Sequence, residues 1–508
     1  MKDQQYHPMK PIARRTFLKS AGVGALALGL PKLGLAASAE SNPTGVNDRV
    51  RIAVVGIGSR DAVGGVGGRG HQLINALGAV PGARIVALCD VDQGILAREA
   101  GQFKDQGQRV TVYGDLRRVF DDKSVDAVVV ATPNHWHALA TVWACQAGKD
   151  VYVEKPMSHN IWEGRQMVAA ARQGRRIVQA GTQARSSSAL REAFDWVRSG
   201  EIGPIRFARV IVYRERSSIG KVAEPTPIPA GVDYDLWCGP SKKLPLRRKQ
   251  LHYDWHWAWS TGSGEMGNNG VHYIDLCRWV MKLDAPAPRV MSLGGRFSFD
   301  DDGETPNTQV AILDYQPAPI YCEIRGLPEK KGSAAMDSFQ NTKVGVLVQC
   351  EGGYVTGAHL SGAAFDNRGK QIKKFGPITW ADVDSGHLAN FVEVTRSRNI
   401  GALHADVLEG HLSAACCHQV SISHRLGQTA PPGAALERTK ANPVLSDAVA
   451  RYREHLRANA IDFAAKEILG PWLTFDAKQE RFTGEFAAEA NSLLTRAYRK
   501  PFVVPQIA

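Results

Sequence analysis

The chain reads Val50-Arg51-Ile52-Ala53-Val54-Val55-Gly56-Ile57-Gly58, a short apolar, β-branched run that stops on two glycines. Residues of this kind without polar alternation suit a strand buried on both faces of a parallel sheet. A dinucleotide turn follows such a strand with the pattern G-x-G-x-x-G. Its glycines give a tight turn, a close approach of backbone to pyrophosphate, and close packing of the next helix. Position 61 is Asp, so the plain pattern fails, but Gly64-Gly65-Val66-Gly67-Gly68-Arg69-Gly70 follows. Residues 59–65 therefore read as an insertion in the phosphate loop. Gly68 then serves as the third glycine, Arg69 lies beside it, and a helix opens at His71. An acid that takes the ribose hydroxyls belongs about 20 residues further on, at the end of the next strand. Asp90 ends the run 84–90 and lies 22 residues past Gly68. A carboxylate there repels a 2′-phosphate, which favours NAD over NADP.

Further runs at 126–131, 150–154 and 176–180 alternate with helical stretches at 136–147 and 161–173, the signature of a parallel sheet with crossover helices. This is an α/β chain with a Rossmann-type dinucleotide domain over 49–182. The strand at 126–131 ends in Thr132-Pro133-Asn134-His135-Trp136-His137. The strand at 150–154 ends in Glu154-Lys155-Pro156. Both ends face the crevice where a nucleotide sits in such a sheet. Thr132, Pro133, Asn134, His137, Glu154 and Lys155 thus join Gly56, Gly58, Gly68, Arg69 and Asp90 as candidate cofactor contacts. His135 and His137 have no third ligand at a suitable spacing, so no metal site is expected. A partly desolvated Lys155 beside a nicotinamide can hold a substrate hydroxyl. Beyond 182 the pattern changes to a mixed α+β region, 183–508. It has a helix at 188–199, strands near 205–213, 289–298, 308–314, 320–325 and 344–350, a long Gly/Pro-rich loop at 216–248, and helical periodicity over 388–427.

The whole chain has 508 residues, 44% hydrophobic and 22% charged, an ordinary globular balance that excludes disordered, collagen-like and coiled-coil classes. Its eight cysteines include no C-x-x-C pair, so neither a disulfide scaffold nor a zinc ribbon is expected. The formal net charge is +12, of which residues 1–39 carry +5 (six basic, one acidic). The remainder shows no basic run, which argues against nucleic acid as a partner.

Arg14-Arg15-Thr16-Phe17-Leu18-Lys19 precedes a modestly apolar stretch, Ala21 to Leu30, and then Ala36-Ala37-Ser38-Ala39. A charged segment, an apolar segment and an A-x-A-like site form an export signal. The paired arginines make it resemble a twin-arginine (Tat) signal over 1–39, with a linker at 40–48. The apolar stretch is far shorter than the roughly 20 residues of a membrane span, so no permanent span is expected. The Tat route, by resemblance, carries folded proteins with cofactor in place. The reading is a periplasmic protein whose partner during export is the Tat machinery.

Strand–Glu154-Lys155-Pro156 after the Ala131-Thr132-Pro133-Asn134-His135 loop resembles the Gfo/Idh/MocA family, which includes glucose–fructose oxidoreductase and inositol dehydrogenase. That family's second hallmark, Asp-x-Gly-x-His-x-x-Asp, corresponds to Asn268-Asn269-Gly270-Val271-His272-Tyr273-Ile274-Asp275, with Asn268 in place of the first Asp. The tail, with Cys417-His418, Arg425-Leu426-Gly427, Leu494-Thr495-Arg496 and Tyr498-Arg499-Lys500-Pro501, resembles the exported branch. The resemblance implies a second domain with an open-faced, largely antiparallel sheet, a homo-oligomer, and a carbohydrate or polyol substrate. It assigns Lys155 to the substrate hydroxyl and His272 to the general base, with Asn268 and Asp275 beside the substrate. Asn268 can hydrogen-bond a sugar hydroxyl but cannot act as an anion that raises the pKa of His272. Trp255, Trp257 and Trp259 alternate; on a strand they share one face, and Trp257 is placed against a sugar ring.

A free nicotinamide pool is not expected outside the cytoplasm, so an exported dehydrogenase needs a cofactor that stays bound and is regenerated in place. Net hydride transfer is the first reading. The second is an NAD-dependent glycoside hydrolase that oxidises, eliminates, hydrates and reduces again. It needs a second base, for which Tyr213 is the candidate by position. A non-catalytic sugar-binding protein is the third reading.

Overall fold

The structure, a computed structural model, describes residues 49–58, 68–431, 433–463 and 466–507. The twin-arginine stretch, the 40–48 segment and the insertion read at 59–65 lie outside the described residues.

In the first half, β1 (Val50–Val55), α1 (Arg69–Leu77), β2 (Ala83–Cys89), α2 (Gln93–Asp105), β3 (Thr111–Tyr113), α3 (Leu116–Asp121), β4 (Ala127–Val130), α4 (Asn134–Gln146), β5 (Asp150–Val153), α5 (Ile161–Gly174) and β6 (Val178–Ala180) alternate. Their six strands form a sheet in the order β3-β2-β1-β4-β5-β6, every pair parallel. Ile52, Ala53 and Val54 are fully buried because helices cover both faces, which explains the unbroken apolar run. The chain leaves β1 toward β2 on one side and resumes at β4 on the other. A crevice therefore opens at the carboxyl ends of β1 and β4. β3 lacks an apolar run because it is a three-residue edge strand and largely exposed. α2 is announced by Asp92, whose side chain accepts from the backbone N–H groups of Gly94 and Ile95.

The second half holds α6 (Ser188–Arg198), β7 (Ile205–Tyr213), α7 (Tyr234–Cys238), α8 (Val271–Met281), β8 (Arg289–Gly295), β9 (Thr308–Leu313), β10 (Ile320–Arg325), β11 (Val344–Cys350), β12 (Gly353–Ala358), β13 (Ser361–Asp366), β14 (Gln371–Phe375), α9 (Trp380–Ser397), α10 (Val407–Arg425), β15 (Gln428–Thr429), α11 (Ala434–Thr439), α12 (Pro443–Ala458) and β16 (Ile468–Leu469). The strands run in the order β14-β13-β12-β11-β7-β10-β9-β8-β16-β15, antiparallel except for β7 with β10. One face packs on α6, α8 and α10 through residues such as Phe194, Ile274, Val290, Cys322 and Val420. On the other face α11 and α12 cover β8, β9 and β10, where Leu445, Val449 and Tyr452 meet Met291, Leu293, Val310 and Ile312. β12 alternates buried and half-exposed residues and β13 and β14 are half-exposed or exposed at all but one position each, so the sheet is open-faced there.

Packing does not respect the sequence boundary at 182. Leu388, Phe391 and Val392 of α9 share a core with β1 and α1. Ala405, Val407, Phe502 and Val504 join that of β4, β5 and α4. Among the described residues no helix is long and apolar enough to cross a membrane.

Candidate active site

A cleft lies at the carboxyl ends of β1, β2, β4 and β5. Its lining includes Gly56, Gly58, Arg69, Asp90, Thr132, Pro133, Asn134, His137, Glu154, Lys155, Asn268 and His272, drawn from both halves of the chain. The turn after β1 requires its glycines. Gly56 has φ +81°, and a Cβ there would stand 2.7 Å from the Thr132 nitrogen. Gly58 has φ +75°.

The third glycine is not the one read from sequence. Gly68 caps α1 at φ −114°, a conformation open to any residue. Gly70, inside α1, faces the turn so closely that a Cβ would lie 2.0 Å from the Gly56 carbonyl. Close helix–strand packing is the third glycine's task. Gly70 performs it, and lies 20 residues before Asp90.

The Asp90 carboxylate accepts from the backbone N–H of Ile57 at 2.7 Å, Gly58 at 3.3 Å and Asp92 at 3.0 Å. Burial raises its pKa, and these N–H groups oppose the shift. Thr132 Oγ1 is buried beside the turn without a hydrogen-bond partner. Glycine turn, helix N-terminus, ribose-side acid and free hydroxyl together fit a dinucleotide. The long segment after β7 closes over the Asp90 side of the cleft. Gln93 N–H donates to the Gly231 carbonyl at 3.0 Å and Asp233 N–H to that of Val91 at 2.9 Å. Leu236, Trp237, His252 and Trp255 of this segment line the cleft there.

Glu154 is buried at the end of β5. It accepts from Arg69 Nε at 2.8 Å, Gln183 Nε2 at 2.9 Å and the Lys155 N–H at 3.1 Å. Burial pushes its carboxyl up, but the Arg69 and Lys155 cations outweigh that and hold it below the usual range. Arg69 also meets Asp384 of α9 at 2.6 Å. His137 bridges the Pro156 and Thr132 carbonyls at 2.7 Å each. Asn134 donates to Ser263 Oγ at 3.0 Å.

Lys155 Nζ ends on a neutral residue, donating to the Asn268 carbonyl at 2.8 Å and its Oδ1 at 3.1 Å. Burial brings the ammonium down to about 8, against the pull of Glu154 and Glu265. Asn268 sits in a wide π-type turn, Met266–Gly270, that feeds into α8. A Cβ on Gly267 would collide with Ser263 at 2.0 Å. Glu265 anchors this turn to Arg216 through two contacts of 2.9 Å. His272 lies in the first turn of α8, buried, with no hydrogen-bond partner for Nδ1. Burial and the neighbouring Lys155 and His359 charges keep its pKa well below the usual value, so it is a neutral base.

Three residues expected at the substrate lie elsewhere. Asp275 is fully buried, its carboxylate taken by Arg185 at 2.8 Å and Ser413 at 2.7 Å rather than open to the cleft. Tyr213 ends β7 with its side chain on the other side of the sheet, its hydroxyl donating to Glu323 at 2.7 Å. Trp257 belongs to a 3₁₀ turn, Asp254–Trp257, not a strand. It is buried under the Arg216 guanidinium, 5.8 Å from its ring centroid, and the alternating tryptophans do not share a face on the cleft. Trp255 and His256 line the cleft instead. Arg214, Arg216, Gln183, His252 and Trp380 also line it. None of these was singled out from sequence, although Arg214 follows Tyr213 directly and His252 opens the tryptophan-rich stretch.

Residues 50–182 match the family described as "Oxidoreductase family, NAD-binding Rossmann fold", and residues 216–303 that described as "Oxidoreductase family, C-terminal alpha/beta domain". The first description makes NAD the cofactor of the domain. Over 157 residues the chain is 39% identical to inositol 2-dehydrogenase 1 of Saccharopolyspora erythraea, covering 30% of this chain and 43% of that protein. Over 156 residues it is 34% identical to glycosyl hydrolase family 109 protein 2 of Shewanella sp. (strain ANA-3), covering 30% and 29%. The match thus spans less than half the length of these relatives. Among solved structures, aldose-aldose oxidoreductase from Caulobacter crescentus shares the fold with TM-score 0.55 at 17% identity, over 74% of this chain and 98% of the other. Levoglucosan dehydrogenase shares it with TM-score 0.54 at 16% identity, over 73% and 96%. Residues 50–182 and 216–303 thus carry the two domains of the Gfo/Idh/MocA oxidoreductase family.

Proposed function

We propose that this protein transfers a hydride between a tightly held NAD and a hydroxyl-bearing carbon of a sugar or polyol. Bound NAD supplies the hydride acceptor. Lys155 holds the substrate hydroxyl in its charged form, and neutral His272 accepts the hydroxyl proton. Asn268 sets Lys155 and offers an amide to a neighbouring hydroxyl. Gly56, Gly58, the N-terminus of α1, Asp90 and Thr132 hold the cofactor. The segment crossing Val91 and Gln93 encloses it and slows its exchange. The observation that carries this reading is the meeting, in one cleft with the glycine turn, of a lysine lowered to about 8 and an imidazole with an unpaired nitrogen. An enclosed cofactor suits export by the twin-arginine route into a compartment without free nicotinamide.

One observation favours redox-assisted glycoside hydrolysis as a second reading. His256 also lines the cleft, with burial holding it at about 3, and its Nδ1 donates to the Tyr253 carbonyl at 2.6 Å. Its Nε2 is then a free base, and the cleft offers two neutral imidazoles where that chemistry needs two bases. Denaturing the protein purified without added cofactor tests the common core: near-stoichiometric NAD is expected in the supernatant. NADP would overturn the role of Asp90. A sugar-binding protein without catalysis would show no change in bound-NAD absorbance with any substrate.

A further inference from the structure

The outer part of the cleft is built differently from its floor. Trp380, the first residue of α9, lines it and is 45% exposed, among the more exposed large apolar side chains described. Its ring stands 5.2 Å from that of His359, which in turn stands 5.0 Å from that of His272. An aromatic wall thus leads from the base outward to solvent. Tyr273 closes this wall, its hydroxyl 3.4 Å from His359 Nδ1.

Arg214 lines the same cleft and is exposed. Its backbone is tied to β10, with N–H donating to the Arg325 carbonyl at 3.0 Å. Its guanidinium has no carboxylate partner among the described residues. The other two cleft arginines are neutralised: Arg216 by Glu265, and Arg69 by Glu154 and Asp384. The unpaired cation and the Trp380 ring thus line one cleft.

Aromatic faces stack on the apolar faces of sugar rings, and a planar guanidinium grips carboxylate, sulfate or phosphate with paired hydrogen bonds. We infer that the substrate is an acidic sugar whose ring rests on Trp380 and whose anionic group pairs with Arg214. This rests on the sugar reading above and names its class.

The test is calorimetric titration of the NAD-loaded protein with paired probes: glucose against glucuronate, galactose against galacturonate, and glucose against its 6-sulfate and 6-phosphate. The expected result is binding of an acidic member about tenfold or more tighter than its neutral partner, the worth of a charge-assisted pair. The uronate, sulfate and phosphate arms identify the anion. Arg214→Gln should weaken the acidic member about tenfold more than the neutral one. Trp380→Ala should weaken both members together. Equal binding of charged and neutral sugars by the unaltered protein, or a preference that survives Arg214→Gln, overturns the inference and leaves the sugar reading standing. No binding of any sugar by protein that retains NAD overturns both.

Discussion

Buried polar groups away from the cleft and at its floor end in opposite conditions. On the outer side of the second sheet, Glu323 accepts from Arg209 at 2.5 Å, from Arg451 at 2.7 Å and 2.8 Å, and from the Tyr213 hydroxyl at 2.7 Å. Its carboxyl is held at about 2, and both oxygens are filled. Beneath the cleft, Asp275, Arg185, Glu409 and Arg278 close on each other in the same way. At the cleft floor Lys155 ends on an amide, and His272 Nδ1 and Thr132 Oγ1 have no partner. Unmet hydrogen-bonding capacity in a buried place costs stability unless a ligand meets it. Charge that closes on itself holds the fold, and charge left open marks the place for chemistry.

Removing the open charge should affect chemistry most. Lys155→Met is expected to lower turnover by about 10²–10⁴-fold, with thermal unfolding little changed; single-turnover absorbance of the bound cofactor measures the first and calorimetry the second. Removing a closed charge should do the reverse. Glu323→Gln and Asp275→Asn leave the buried arginines short of counter-charge, Arg209 with only Asp447 and Arg185 with only Glu409, and should each cost up to about 3–5 kcal/mol in chemical denaturation, with turnover per folded molecule maintained. Equal loss of activity in all three variants would erase the distinction.

The glycines sharpen it at the cofactor end. Gly70→Ala should push α1 off the turn, costing about 1–3 kcal/mol and most of the co-purified nucleotide, whereas Gly68→Ala should stay within about 0.5 kcal/mol. The pH profile follows next. The Lys155 ammonium, lowered to about 8 from its ordinary 10.5, is present below that pH and lost above it. Turnover should therefore fall as pH rises through about 8, and fall in acid only where His272 protonates, well below 6.5. Asn268→Asp would place a carboxylate beside the ammonium and should move the alkaline limb up by about one unit. Tyr213→Phe should cost about 1 kcal/mol of stability and leave the kinetics unaltered.

The cofactor end was legible because its constraints are local. A strand, a turn needing positive φ, a helix and an acid one strand later all fall within Val50–Asp90. Even there the third glycine was misplaced, since Gly68 and Gly70 differ only in what a Cβ would meet across the helix. The substrate end is assembled from remote segments. Lys155 and Asn268 meet across 113 residues, and Arg69 and Asp384 across 315. Motifs flagged Lys155 and His272, but the burial of Asp275 and the turn that buries Trp257 depend on tertiary packing. Nothing near Arg214 or Trp380 in sequence reveals that they share a cleft.

The core of the nucleotide-binding sheet includes Phe502, whose ring lies 5.5 Å from that of Trp136 on α4, and Val504. Those side chains are synthesised more than 300 positions after the sheet they complete. A ribosome that has released residues 49–182 has delivered every strand of that sheet but not its full complement of apolar contacts. The nascent domain should stay open, or be held by a chaperone, until translation is nearly finished, which would delay nucleotide capture to a step after synthesis.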